Sequence, residues 1–181
     1  VRMNAGANGK EMKDIVKTVL PYVIILAVVI ILKVFIVTPV KVNGTSMYPT
    51  LSSGDILILN KTSYWFSDIK RFDIVVINNE TVGREMIKRV IGLPGDKIEY
   101  RNSKLYVNDE EVPEEFTHKE TADFNLSELE VTTVPEGNYF VVGDNRTDSY
   151  DSRYFGFIAE NEIEGKANFL IFPFTRLGTV K

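Results

Sequence analysis

Two side chains in this sequence are of a type and setting that could perform acyl transfer. One is a serine in a proline-braced turn, Gly44-Thr45-Ser46-Met47-Tyr48-Pro49-Thr50-Leu51; the other is a lysine among apolar residues, Met86-Ile87-Lys88-Arg89-Val90-Ile91. A serine hydroxyl attacks a carbonyl only when a base takes its proton, a further group holds that base, and donors receive the oxyanion. His118 is the single histidine and lies in an acidic, polar stretch, a poor setting for the base. Lys88 is the stronger candidate. A lysine with an ordinary pKa near 10.4 is neutral only about one time in a thousand near pH 7, and burial among apolar neighbours lowers that value by about 3 to 5 units. The pair therefore requires a desolvated Lys88. On these residues alone a second reading stays open, a surface lysine on a half-buried strand, because strand alternation is expected to send one of Lys88 and Arg89 outward.

Other chemistries find less support. With no cysteine and one histidine the chain has neither a disulfide framework nor a thiolate or histidine metal set, and no metal or cofactor is expected. A formal net charge of -4 gives no footprint for nucleic acid, which is not expected as a partner. Ser67-Asp68-Ile69-Lys70 fits S-x-x-K, but no S-D-N or K-T-G accompanies it. Gly92-Leu93-Pro94-Gly95-Asp96 lacks the lysine and Ser/Thr of a P-loop and reads as a tight turn.

The elements that must position Ser46 and Lys88 follow from the hydrophobic pattern. Residues 19–37 are almost wholly apolar, and as a helix they would span about 28 Å, close to a bilayer's hydrocarbon core. We expect one transmembrane anchor there, with Lys33 snorkelling near its end. The basic flank Arg2, Lys10, Lys13 and Lys17 places residues 1–18 in the cytoplasm and everything after Val37 outside. A cleavable leader is the alternative, but the apolar run is long for one and Thr38-Pro39-Val40-Lys41 offers no A-x-A-like site.

Residues 38–181 read as an all-β domain. Short runs rich in Val, Ile, Leu and aromatics predict strands at Val40–Asn43, Asp55–Lys61, Asp73–Asn78, Glu85–Ile91, Lys97–Tyr100, Lys104–Val107, Asn138–Val142 and Ala167–Phe172. Arg101-Asn102-Ser103 predicts a hairpin turn. The acidic stretch of about 109–136 is expected to be a solvated insertion. Tyr64-Trp65-Phe66 fits either a core position or an aromatic contact with the lipid interface.

A third stretch, Gly143-Asp144-Asn145-Arg146-Thr147-Asp148-Ser149-Tyr150-Asp151-Ser152-Arg153, carries alternating charges whose mutual neutralisation is simpler than a glycosidase carboxylate pair. Taken in order, the three stretches resemble the signature boxes of bacterial type I signal peptidases, over the chain from the apolar run to about Phe157. The resemblance implies a curled antiparallel β-sheet catalytic domain on a single anchor, working at the outer face of the cytoplasmic membrane. It implies a serine endopeptidase that removes signal peptides from exported preproteins after small residues. It makes Ser46 the nucleophile, Lys88 the general base and Ser149 the hydroxyl that orients the lysine, with Asp144, Arg146, Asp151 and Arg153 as ion-pairing residues nearby. Val40, Val42, Met47, Met86 and Ile87 become the lining of shallow apolar pockets beside a substrate docked as an added strand. Gly44 stands where Gram-negative relatives carry an oxyanion-hole serine, so this chain resembles the Gram-positive form. Three competitors fit less of the sequence. The self-cleaving repressors with a related Ser-Lys dyad carry a DNA-binding domain instead of an anchor. A binding module without turnover, or a structural exodomain, leaves the three boxes unexplained.

Overall fold

The structure, a computed structural model, describes residues 5–79 and 84–180, with the side chains of 5–14, 31–35, 79 and 84 left undescribed. Two units make up the chain, residues 1–37 and residues 38–181. In the first, the apolar run forms helix α1, Ala5–Phe35, which tolerates Pro21 in its interior. Its described side chains, residues 15–30, are exposed all round: Leu20 at 51%, Tyr22 at 70% and Leu26 at 61% face outward alike. Among the described residues no helix is long and apolar enough to cross a membrane. The residues Arg2, Lys10, Lys13 and Lys33, on which the topology reading rests, lie outside those whose side chains are described. Helix α1 stops two residues short of Val37, where Thr38-Pro39 forces an extended backbone.

The second unit is built on antiparallel sheets. Its strands are β1 Val37–Lys41, β2 Ile56–Asn60, β3 Ile74–Asn79, β4 Arg84–Gly92, β5 Ile98–Arg101, β6 Lys104–Val107, β7 Glu110–Glu111, β8 Phe124–Asn125, β9 Asn138–Val142, β10 Ile158–Ala159, β11 Ile163–Phe172 and β12 Gly178–Thr179. The larger sheet runs β1-β2-β11-β3-β4-β9-β10, with β12 on β11, and a smaller sheet runs β7-β6-β5-β8. Strands β3, β4 and β9 of the larger sheet each bury successive residues, while burial alternates along β2 and, in the smaller sheet, along β6. β6 and β9 have the expected ends and the other long strands differ from expectation by a few residues. The predicted hairpin is present: Asn102 and Ser103 take positive φ of 50° and 62°, and Arg101 pairs Lys104. That is the turn geometry whose twist matches the flanking strands.

β4 matters most for chemistry. It pairs β3 along one edge and β9 along the other, which brings residue 88 opposite Val75 and Arg89 opposite Val142. The expectation that one of Lys88 and Arg89 points to solvent is wrong: they are 3% and 1% exposed, because Lys88 meets Ser149 and Arg89 meets Asp144.

The acidic stretch also differs from expectation. Its acids are largely solvated, but Phe124, Leu126 and Val134 are buried in the core with Tyr100, Leu105 and Phe140, and Val112, Phe116, Leu129 and Val131 pack against them. The stretch carries β7, β8 and a capped single turn, Leu126–Leu129. Apolar residues spaced among the acids fold it back onto the domain.

Candidate active site

The turn that carries Ser46 is fixed from below and from the side. Met47 and Leu51 are buried in the core with Val40 and Val42, holding the turn's two ends. Gly44 enters it at φ +97°, a region closed to most side chains, and a Cβ there would meet nothing within 4 Å, so backbone conformation, not space, requires glycine. Ser46 is half-buried. Its carbonyl accepts from the Asn145 backbone N–H at 2.9 Å, and the Asn145 amide donates to the Thr45 carbonyl at 3.1 Å. The Thr45 hydroxyl donates to Asp148 at 2.9 Å and the Thr50 hydroxyl to Asp144 at 2.5 Å. Four hydrogen bonds thus sew the turn to the third box, about a hundred residues away in sequence.

The lysine is placed by β4 and held by that same box. Lys88 Nζ donates to Ser149 Oγ at 3.1 Å, a contact buried between two elements. Gly143 sits where these groups converge. A Cβ on it would press on Ser149 Cβ at 2.8 Å and lie closer still to Ser149 Oγ and the Ser46 carbonyl. The absence of a side chain at 143 is what lets the two serines approach one another.

The charged residues pair differently from the mutual neutralisation expected within the third box. Asp144, fully buried, receives the Arg89 guanidinium through Nε at 2.9 Å and Nη2 at 2.6 Å. Arg146 turns to Glu114 in the acidic stretch, through Nη2 at 2.6 Å and Nη1 at 3.2 Å, and to Thr121 at 2.7 Å. Only Asp151 and Arg153 pair within the box, at 2.8 Å twice, and Asp151 also accepts the Gly143 N–H at 3.0 Å. Burial works to lower the Arg146 pKa, but Tyr100, Glu114 and Asp144 outweigh it and hold it above the ordinary guanidinium value. Burial raises the Tyr100 hydroxyl, with Glu114 adding and Arg146 opposing.

A groove of about 560 Å³ runs past these groups. Val40, Val42, Met47, Met86 and Ile87, all five expected pocket residues, line it together with Ser46 and Lys88. Three strands separate β1 from β4 in sheet order, so the sheet must curl for both to border one groove. Glu85, Asp148 and Tyr150 complete its rim. Burial raises the Glu85 carboxyl, Glu164 adds to the effect and Lys61 opposes it.

Ser149 thus meets Lys88 as expected, whereas Asp144, Arg146, Asp151 and Arg153 sit behind the groove as anchors of its loops. Sequence reasoning passed over Arg89, Gly143 and Asn145, although all three lie inside the boxes. For Glu114 no local signal existed, since nothing distinguishes it from Glu115 beside it.

Comparison with known proteins agrees with this arrangement. The family described as signal peptidase, peptidase S26, matches residues 14–172. A signal peptidase I of Bacillus caldolyticus is 44% identical over 164 residues, covering 85% of this chain and 90% of that protein. Signal peptidase I T of Bacillus subtilis is 39% identical over 166 residues, covering 88% and 86%. A crystal structure of a signal peptidase I from Enterococcus faecalis superposes with a TM-score of 0.52 at 40% identity, covering 55% of this chain and 97% of that one. Its likeness extends to the mostly β, curled antiparallel fold. On this sequence kinship, and with the fold in accord, the chain belongs to the S26 signal peptidase family and is a peptidase of the signal peptidase I type.

Proposed function

We propose that this chain is a membrane-anchored serine endopeptidase that cleaves N-terminal signal peptides from exported preproteins after small residues, by a Ser46–Lys88 dyad. The observation that carries the reading is a lysine 3% exposed, donating to Ser149 on the wall of the groove that also holds Ser46. The substrate lies extended in that groove as an added strand, its backbone paired with the chain and alternate side chains turned to the floor of Val40, Val42, Met47, Met86 and Ile87. A floor already filled by those side chains leaves room for alanine-sized groups.

Neutral Lys88 takes the Ser46 proton as Oγ attacks the scissile carbonyl. The oxyanion is received by backbone N–H donors, that of Ser46 among them, since Gly44 has no hydroxyl to offer. Protonated Lys88 gives the proton to the leaving amine, which departs as the new N-terminus and leaves an acyl group on Ser46. Lys88 then activates the water that releases the signal peptide. Ser149 holds the amine in register through both steps, and Asp144, Arg146, Asp151 and Arg153 hold the loop that carries Ser149.

The anchor is helix α1. Its apolar side chains are exposed on all sides, which suits lipid better than water. Residues 1–18 then lie in the cytoplasm and residues 38–181 on the outer side of the cytoplasmic membrane. A second lipid contact is Trp65 and Phe66, 63% and 92% exposed, while Tyr64 turns inward and donates to Asp73 at 3.0 Å. Trp65 emission in the domain without its anchor should shift to the blue on adding anionic vesicles; no shift removes this contact.

The central test is cleavage of a signal-peptide substrate in detergent micelles by wild type, Ser46→Ala and Lys88→Ala. Cleavage by wild type after the small-residue site, with both variants folded and inactive, supports the dyad. Binding without cleavage by wild type would make the chain a binding module, and turnover by Lys88→Ala would assign the base elsewhere.

A further inference from the structure

The segment Pro113–Thr121 of the acidic stretch reaches the back of the active site at four places. The Glu114 carboxylate grips Arg146 with both oxygens, at 2.6 and 3.2 Å. The Phe116 ring lies under the Arg89 guanidinium, 3.8 Å from ring centre to Cζ. The Thr117 carbonyl lies 3.1 Å from the Thr50 hydroxyl and shares that hydroxyl's one proton with the Asp144 carboxylate, and the Lys119 N–H donates to the Asp144 carbonyl at 3.0 Å. None of these residues lines the groove. Each instead touches a residue that holds the nucleophile turn or the third box.

Glu114 is the most buried acid of the segment, its side chain 4% exposed against 0% for Arg146. Arg146 in turn donates through Nε to the Gly143 carbonyl at 3.2 Å. Gly143 is the residue wedged against Ser149 and the Ser46 carbonyl, with its own N–H held by Asp151. A rigid fork of two planar groups, carboxylate and guanidinium, fixes both distance and orientation. Three hydrogen-bonded links, Glu114–Arg146, Arg146–Gly143 and Ser149–Lys88, are thus joined at Gly143, which leaves no room for a side chain against Ser149.

We propose that Glu114 is a positioning residue for the Ser46–Lys88 dyad, and that the Pro113–Thr121 segment is a brace that sets the third box in register with the nucleophile turn. The inference rests on the dyad reading above. Substrate enters on the other side of these residues, so the brace governs how fast bound substrate reacts and not how tightly it binds. Loss of the Glu114 carboxylate frees Arg146 to reorient, the Gly143 peptide moves, and the Ser149 hydroxyl shifts relative to the amine. Displacements near 1 Å at such a site cost about a hundredfold in rate.

The test measures kcat and KM separately for the full chain in detergent, in wild type, Glu114→Gln, Glu114→Ala and the double variant Glu114→Ala with Arg146→Met, beside Ser46→Ala and Lys88→Ala. Glu114→Gln keeps one oxygen for Arg146 and should retain about a third of kcat. Glu114→Ala should lose about 10- to 100-fold in kcat with KM within twofold of wild type. The double variant removes both buried charges, so its thermal midpoint should recover while kcat stays low. Recovery of kcat along with stability in the double variant would reduce the pair to a structural role and overturn the inference, as would a wild-type kcat in folded Glu114→Ala. Turnover by Lys88→Ala would instead refute the dyad reading, an outcome distinguishable from failure of the brace.

Discussion

Adding one methyl group at residue 143 should abolish most activity without unfolding the protein. The Cβ of Gly143→Ala would stand 2.8 Å from Ser149 Cβ, and nearer to Ser149 Oγ and the Ser46 carbonyl oxygen. Ordinary contact begins at 3.4 Å, so the neighbours must yield by more than about 0.6 Å. Two of those three neighbours are the hydroxyl that meets Lys88 and the backbone of Ser46, the proposed nucleophile, while the third is the carbon carrying that hydroxyl. The Ser46 carbonyl is tied to Asn145 and the Ser149 hydroxyl to Lys88, so neither can retreat without losing its hydrogen bond. Overpacking of this kind costs about 1–3 kcal/mol of stability. A displacement approaching 1 Å at reacting groups costs about a hundredfold in rate, or about 2.7 kcal/mol of transition-state stabilisation. The assay is kcat on a signal-peptide substrate, read well below the thermal midpoint of the variant, with circular dichroism as the control for folding. A folded Gly143→Ala enzyme with kcat within threefold of wild type would refute the reasoning, since it would mean that the Ser46–Ser149 approach is not under constraint.

Three further outcomes follow from the same structure. Arg89→Met leaves Asp144 fully buried without its guanidinium, and should cost about 3–5 kcal/mol in urea unfolding; a loss below about 1 kcal/mol would show that the Thr50 hydroxyl suffices for that carboxylate. Gly44→Ser and Gly44→Ala should each lose about 1–3 kcal/mol, because φ is +97° and nothing lies within 4 Å of the new Cβ; equal losses in the two identify backbone strain as the cause, and no loss in either disproves it. On the proposed dyad, activity should fall about tenfold per pH unit on the acid side and level off at higher pH, because only a neutral lysine can take a serine proton and raising pH deprotonates it; a rate unchanged from mildly acidic to alkaline pH would exclude lysine as base.

What could be read from the chain before folding was mostly local. Short apolar runs gave β6 and β9 their ends, β6 with alternating burial and β9 buried on both faces, and Asn102-Ser103 announced its turn, because pleat and turn geometry depend on adjacent residues. The missed strands β7, β8, β10 and β12 are two residues each, too short for any period to appear. The acidic stretch misled because its many glutamates mask the few apolar residues that pack it down.

The sequence by itself singled out the groups proposed to carry the chemistry: the turn around Ser46, the lysine in an apolar strand and the third box with Ser149. Residue type fixes what an atom can donate, accept or attack, and that needs no fold. Tertiary structure alone decided the partners. Arg89 rather than Arg146 or Arg153 neutralises Asp144, and a glutamate thirty-two residues upstream receives Arg146. Lys88 and Arg89 are both buried because Lys88 meets Ser149 and Arg89 meets Asp144, both from the distant third box, a fact that alternation along one strand does not contain. Pairing across a sheet is set by which strands become neighbours and how the sheet curls, and those depend on the whole chain's burial of apolar surface rather than on any one segment.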